Sequence, residues 1–269
     1  MKEIVLFGCP YDFTSSYRVG SRFAPEVIRN TLKEIEDYSP YLNGDLRDVH
    51  FSDNEDIGLA NNAPEQDLSL IRKTTKKILK EEKIPFVLGG EHLVTLPVLQ
   101  AIKEKYENIK VLYLDAHCDL RDKYLGARLS HATVARRLLE FIGPRSLFQF
   151  GIRSGEREEF EFARKHKIIY KFSRESLDKV LKKIEDFPVY ITIDLDVFDP
   201  GIFPGTGVPE PGGISFEEFI EFIKGLKKIR IAGLDVVELS PPCDSTEISS
   251  FLAATVVREM LILTGRQTK

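Results

Sequence analysis

Residues 113–120 read YLDAHCDL, and residues 194–200 read DLDVFDP. In the first, Asp115, His117 and Asp119 recur at every second position just past the apolar run VLYL (111–114). An extended chain turns alternate side chains to the same side, so this spacing predicts two acids and an imidazole converging at a strand end. Asp194 and Asp196 repeat the pattern after VYITI. Unpaired carboxylates at a buried strand end are costly, and no Lys or Arg lies within DAHCD or DLDVFD to neutralise them. Alone, a DxD at a strand end serves as a turn or cap, and a lone histidine is a satisfied loop residue. Taken together with His92 of GGEH, which follows PFVL, the set leaves few structural alternatives to a metal centre. Asp115, Asp119, Asp194 and Asp196 carry a formal charge that two divalent cations would balance, and His92 and His117 complete the ligands. Oxygen donors with a minority of imidazoles suit Mn(II), Mg(II), Co(II) or Fe(II) better than a thiolate-type zinc site. Two such ions lower the pKa of a shared water and hold a hydroxide nucleophile near neutral pH.

Something must bring these segments to one place. Apolar runs alternate with amphipathic segments along the whole chain. The strands predicted are 3–8, 85–90, 110–116, 146–152, 167–172, 188–196 and 230–239, with an edge strand near 48–53. The helices predicted are 25–37, 67–82, 94–107, 131–141, 156–166, 174–185, 215–227 and 247–264. In the second of these, Leu68, Ile71, Thr75, Ile78 and Leu79 follow helical spacing while Arg72, Lys73, Lys76, Lys77 and Lys80 lie off that face. Pro25 suits a first helical turn, and Ser215 with Glu218 forms a capping pair. Strand–helix alternation of this kind predicts a single α/β domain, 1–269, with a mainly parallel sheet covered on both faces. GGEH, DAHCD, DLDVFDP and Glu238 each follow a predicted buried strand. In a parallel sheet those ends share one edge, where open α/β sheets bind ligands. The Gly- and Pro-rich stretch 198–213 reads as a long loop at that edge.

The 269 residues are 42% hydrophobic, enough for a sizeable core. A net charge of -4 with no basic block gives no electrostatic reason to expect nucleic acid or an anionic membrane as partner. No window approaches the roughly 18 uninterrupted apolar residues of a transmembrane span. The opening MKEIVLFGCPYDF has an apolar run of only about five residues and no small-residue cleavage site, so it reads as the first strand. Three cysteines, Cys9, Cys118 and Cys243, are widely spaced without a CxxC pattern. They read as buried thiols in a reducing cytoplasm rather than a disulfide framework.

The segments GGEHLVT, DAHCDLRD, SHATVARR, DLDVFDPGIFPGTGVPEPGG and GLDVVELSPP, in this order, resemble the arginase–agmatinase family of ureohydrolases, and its agmatinase branch most closely. The N-terminal FGCPYDFTSSYRVGSRFAPEVIR is similar to the family's opening. The resemblance implies a three-layer α/β/α fold with a largely parallel sheet of about eight strands and a centre of two Mn2+ per chain. It implies one ion on His92, Asp115, Asp119 and Asp194 and another on His117, Asp115, Asp194 and Asp196. It also implies Glu91 and Asp199 as supporting residues, and a homotrimer or homohexamer.

The activity implied is hydrolysis of a small cationic guanidino substrate to urea and an amine. Glu238 would pair with the guanidinium, Asp119 would relay a proton to the leaving amine, and His131 would shuttle protons to solvent. Ala132 stands where the family most often has Gly. Residues 120–130, LRDKYLGARLS, lack the SGN-like stretch of arginase-type members. Asp122 and Glu210 are candidate partners for a terminal ammonium, which favours agmatine and hydrolysis to putrescine, in polyamine biosynthesis, and disfavours the carboxylate of arginine. N1-aminopropylagmatine, giving spermidine, is the alternative within the class, and an arginase is another. Guanidinobutyrate and formiminoglutamate bring a carboxylate with no assigned Arg, although Arg121, Arg128 and Arg153 lie in candidate loops. A zinc-dependent amide deacetylase, built on one metal and paired histidines, is the reading from another class, and a non-catalytic relative is a further one.

Overall fold

The structure, a computed structural model, describes residues 2–267. Strands β1 (Ile4–Cys9), β2 (Tyr38–Ser39), β3 (Gly44–Asp45), β4 (Phe51–Asp56), β5 (Ile84–Gly89), β6 (Lys110–Leu114), β7 (Leu147–Phe150), β8 (Ile169–Tyr170), β9 (Pro188–Asp194) and β10 (Arg230–Val237) alternate with eight helices. These are α1 (Ala24–Leu32), α2 (Pro64–Lys80), α3 (Thr95–Lys105), α4 (Val134–Ile142), α5 (Arg157–His166), α6 (Arg174–Ile184), α7 (Phe216–Gly225) and α8 (Ile248–Gln267). Apart from the small β2–β3 pair, the strands form one eight-stranded sheet in the order β4-β1-β5-β10-β9-β6-β7-β8. Every neighbouring pair in it is parallel.

The apolar runs are explained by two cores, one on each face. In β6, Leu112 and Leu114 enter the layer that holds Leu177, Phe219 and Val257. Val111 and Tyr113 enter the opposite layer, with Ile71, Leu99 and Leu138. Alternate residues of a central strand therefore meet helices on either side, and neither face meets water. Each fully buried large side chain contributes roughly 1.5–3 kcal/mol of transfer free energy, which anchors the strands whose ends carry the polar motifs.

Local signals act as expected at two helices. Ser215 caps α7 in a reciprocal capping box with Glu218, and Pro25 lies in the first turn of α1. At α2 the start differs from the expectation: the helix begins at Pro64, about one turn early. The reason is Asp67, whose carboxylate accepts from the amides of Ala60 and Asn61 at 2.9 and 2.8 Å and so ties down the preceding loop instead of capping its own helix. α8 is long and apolar enough to cross a bilayer by length and composition, but most of it is buried inside the protein, packed on α1 and β10.

Candidate metal centre

Strands β5, β10, β9 and β6 are immediate neighbours. Their carboxyl ends carry His92, Glu238, Asp194 and Asp115, so four segments distant in sequence open on one crevice. The run 115–119 reaches it in a way the spacing did not foresee. Strand β6 stops at Leu114, and the chain leaves the sheet to pair with residues 153–154. Ala116 O accepts from the amides of Arg153 and Ser154 at 2.8 and 2.9 Å, and the Cys118 amide donates to Ser154 O at 2.9 Å. Asp119 then adopts a left-handed backbone, φ 51°. A turn, not a continued strand, brings its carboxylate within 4.8 Å of donor atoms of Asp115 and His92, a group that does not take in Asp194. Left-handed backbone is uncommon for a residue with a side chain and is found enriched at functional sites. Glu238 shares it, with φ 67°.

Two groups of donors share Asp115. His92, Asp115 and Asp119 each present an atom within 4.8 Å of the others, as do Asp115, His117 and Asp196. His92 Nδ1 lies 3.1 Å from Asp115 Oδ2, 3.1 Å from Asp194 Oδ2 and 3.6 Å from Asp119 Oδ2. His117 Nδ1 lies 2.8 Å from Asp196 Oδ2 and 3.6 Å from Asp115 Oδ1. Backbone amides orient the acids: His117 N donates to Asp115 Oδ1 at 2.5 Å, and Asp196 N to Asp194 Oδ1 at 2.9 Å.

These residues fit a cation. Thr192 donates its hydroxyl to Asp235 Oδ1 at 2.5 Å and so is free to accept from His92 Nε2, 2.9 Å away. This places the ring proton on Nε2 and turns the Nδ1 lone pair toward three carboxylates. The Asp115 Oδ2 atom is buried without a hydrogen-bond partner. Lone pair and carboxylate oxygens facing one another require a positive charge between them. Protons on the same groups would meet the same need. Burial, and then the Asp115 charge, push Asp119 well above the usual carboxylate range. Burial followed by Asp196 and Asp115 does the same to Asp194. Burial opposes charge on His92, but the carboxylates of Asp115 and Asp194 outweigh it and hold the imidazole well above its ordinary value. His117 is raised in the same way, burial opposing and Asp196 prevailing.

The acids and imidazoles open into a cleft of about 260 Å3 lined by Glu238, His131, Glu210, Ser154, Tyr124 and Arg18 among others. Glu238 Oε1 accepts from the His92 amide at 2.7 Å, and burial, then neighbouring Glu91, raises its carboxyl to about 8. His131 lies in a short turn ahead of α4 that Ser130 caps. Burial, more than the nearby imidazoles, pulls its pKa down to about 4. Thr14 Oγ1 accepts from the His131 amide at 3.0 Å and donates to Glu91 Oε1 at 2.6 Å, and the Tyr124 ring meets His131 edge-on at 5.5 Å.

Two expectations for the substrate loop part company. Glu210 lines the cleft and accepts from Ser154 Oγ at 2.8 Å. Asp122 does not line it. Its carboxylate is ion-paired with Arg137 at 2.8 Å and Arg128 at 3.5 Å, and these cations lower its pKa, so it is withdrawn as a substrate partner. Sequence reading passed over Thr14, Thr192, Asp235 and Tyr113, whose hydroxyl donates to Asp119 Oδ2 at 2.7 Å. Thr192 could have been found, because it precedes Asp194 and Asp196 at the same every-second-residue spacing.

The arginase family model matches residues 2–263. An agmatinase from Bacillus anthracis is 43% identical over 264 residues, covering 97% of this chain and 91% of that one. An N1-aminopropylagmatine ureohydrolase from Thermococcus kodakarensis is 38% identical over 244 residues, covering 88% and 83%. The solved structure of a candidate agmatinase from Clostridium difficile, 42% identical, superposes with a TM-score of 0.96 over 100% of this chain and 99% of that one. With matching family model, matching sheet and the acid–imidazole crevice at its carboxyl edge, this chain belongs to the arginase family.

Proposed function

We propose that the protein hydrolyses the guanidinium of agmatine, releasing urea and putrescine, with two Mn2+ held by His92, Asp115, Asp119 and Asp194 and by His117, Asp115, Asp194 and Asp196. The observation that carries this reading is a single cleft with the acid–imidazole cluster and Glu238 at its base and Glu210 on its wall. Such a pair of cations supplies an activated water as nucleophile. The chain's own residues do the rest.

Glu238, fixed through one oxygen by the His92 amide, receives the guanidinium and orients its planar carbon, a weak electrophile that depends on positioning. Asp119, which accepts from Tyr113, takes up the proton that the attacking water loses and passes it to the departing amine. His131, neutral at pH 7 because burial lowers its pKa to about 4, exchanges protons between cleft and solvent. Glu210 receives the terminal ammonium and repels a substrate carboxylate, which sets agmatine above arginine. Kinship with agmatinases of 43% identity supports the choice of agmatine. We place the reaction in polyamine biosynthesis, in the cytoplasm, and in a homotrimer or homohexamer of single-domain chains.

The test is urea release by manganese-reconstituted protein at equal low concentrations of agmatine, N1-aminopropylagmatine and arginine. The highest kcat/KM is expected for agmatine. Preference for the longer amine would retain the residue roles and move the product to spermidine, as the name of the Thermococcus relative has it. No urea from any of the three would defeat the proposal.

A further inference from the structure

We propose that Arg153 is the positioning residue for substrate discrimination: it clamps Glu210 at a set place relative to the acid–imidazole cluster. This rests on the reading in which Glu210 receives the substrate's terminal ammonium. Arg153 makes no ion pair among the described residues. Its guanidinium instead sits in a cage of backbone carbonyls. Nη2 donates to Asp196 O at 2.7 Å, Glu210 O at 2.8 Å and Phe198 O at 3.3 Å. Nη1 donates to Val197 O at 3.2 Å and Gly151 O at 3.3 Å, and Nε to Glu210 O and Pro211 O, both at 3.2 Å. One rigid fork therefore ties the backbone of a candidate metal ligand, Asp196, to the backbone of Glu210 on the far limb of the same loop. Lysine lacks that fork and brings only three rotatable donors.

The neighbouring residue completes the hold. Ser154 Oγ fixes the Glu210 carboxylate at 2.8 Å, while the Arg153 and Ser154 amides are themselves anchored on Ala116 O. Asp199 closes the loop from the other side. It accepts from the amides of Gly201 and Gly212 at 2.9 Å and Gly213 at 3.1 Å. At Gly213 a Cβ would lie 2.3 Å from the Asp199 nitrogen, so only glycine allows this closure. Asp199 thus gathers the loop's amides and Arg153 its carbonyls; of the two, Arg153 reaches the Glu210 backbone, while Ser154 Oγ at 2.8 Å and His117 Nε2 at 3.8 Å face its carboxylate. The distance from Glu210 to the cluster selects for tail length and charge, and Arg153 sets it.

The experiment compares agmatine with pentylguanidine, whose tail has the same length without the ammonium, in wild type, Arg153→Gln, Arg153→Lys, Glu210→Gln and the Arg153→Gln/Glu210→Gln double variant. Backbone hydrogen exchange of residues 205–213 is followed in the full chain. Arg153→Gln is expected to speed exchange in this loop and to lower the agmatine-to-pentylguanidine ratio of kcat/KM about tenfold or more, the scale of one lost charged hydrogen bond. The loss should lie in KM for agmatine, with kcat nearly unchanged. Arg153→Lys should restore part of the ratio, and the double variant should discriminate no worse than Glu210→Gln. An unchanged ratio, or a parallel fall on both substrates, would overturn the proposal by reducing Arg153 to a general structural part. Wild-type protein that releases urea from neither compound would instead defeat the agmatine reading, and the discrimination with it. The exchange rates would then still decide whether Arg153 clamps the loop.

Discussion

His92 Nε2 stands 2.9 Å from the hydroxyl of Thr192, and the direction of that bond decides what His92 can do. Asp235, buried and accepting from Thr192, Thr95 and Tyr190, consumes the Thr192 proton. Thr192 can therefore only accept from His92, which keeps the Nδ1 lone pair on the cluster side. Replacing Thr192 with the near-isosteric Val removes the acceptor and leaves the imidazole N–H unpartnered. Thr192→Val is expected to weaken manganese binding about 10- to 100-fold, the usual cost of losing a support behind a metal-binding histidine. Titration calorimetry with Mn2+ measures this directly, and an affinity equal to wild type would show that the ring orientation is set elsewhere.

Asp115 belongs to both donor groups, whereas Asp119 belongs to one and Asp196 to the other. Single substitutions should therefore differ in stoichiometry and not only in degree. Asp119→Asn and Asp196→Asn are each expected to retain about one tightly bound ion of the two proposed, and Asp115→Asn to impair both. Metal content per chain after dialysis checks this. Binding should also weaken as pH falls, because the protons that burial and neighbouring acids hold on Asp119 and Asp194 must leave before an ion can enter.

Much of this was legible in the chain, for reasons particular residues make plain. Strands such as VLYL and VYITI are apolar on both faces because helices cover both, and that pattern survives in the sequence without any partner being known. The place where the donor groups gather followed, since GGEH, DAHCD and DLDVFDP each trail such a run. What stayed hidden depends on who meets whom. The turn at Asp119 arises from pairing between Ala116 and residues 153–154. Asp122 looked like a cleft acid until Arg137, 15 positions on, took it up. Asp235 sits inside an apolar strand, RIAGLDVV, and a lone acid there was a sign of a buried network that only the Thr192 contact explains.

Glu238 provides a pH test that needs no turnover. Its carboxyl is raised to about 8, by burial first and then by Glu91. A guanidinium keeps its charge to about pH 12 and requires the carboxylate form. In the metal-free protein, guanidinium binding should thus strengthen as pH climbs through about 8 and level off above it. The same linkage gives the sign for stability. Below the folded value the folded chain holds a proton that the unfolded chain releases above about 4.3, so this group lowers stability as pH rises between the two. Glu238→Gln should remove the dependence of guanidinium binding and Glu238's own share of the stability slope, leaving the share of buried Glu91, which is raised to about 7. Calorimetric titration of guanidinium and thermal melts across pH 5 to 9 read them out, and a pH-independent affinity in the wild type would take Glu238 out of guanidinium recognition.

His131 is held from two directions, its amide by Thr14 and its ring edge-on by Tyr124. Among the described residues the ring nitrogens contact only hydroxyls, Thr14 and Ser130 at Nδ1, both at 3.3 Å, and Ser16 at Nε2 at 3.5 Å. Thr14, whose proton goes to Glu91, can only accept, but Ser130 and Ser16 can donate or accept, so the imidazole can gain and lose a proton at either nitrogen without losing these neighbours, as a shuttle requires. No carboxylate among the described residues contacts it to trap the charged form, and burial favours the neutral one. His131→Asn should preserve the contact geometry but not proton transfer. The expected result is a fall in kcat of about 10²- to 10⁴-fold with KM for agmatine nearly unchanged. Added imidazole should restore part of the lost rate, which distinguishes a missing proton carrier from a deformed cleft. Thr14→Val removes the anchor but leaves the imidazole, so its loss should be smaller and insensitive to imidazole. Equal losses in the two variants, with no rescue in either, would mean that His131 serves the shape of the cleft and carries no protons.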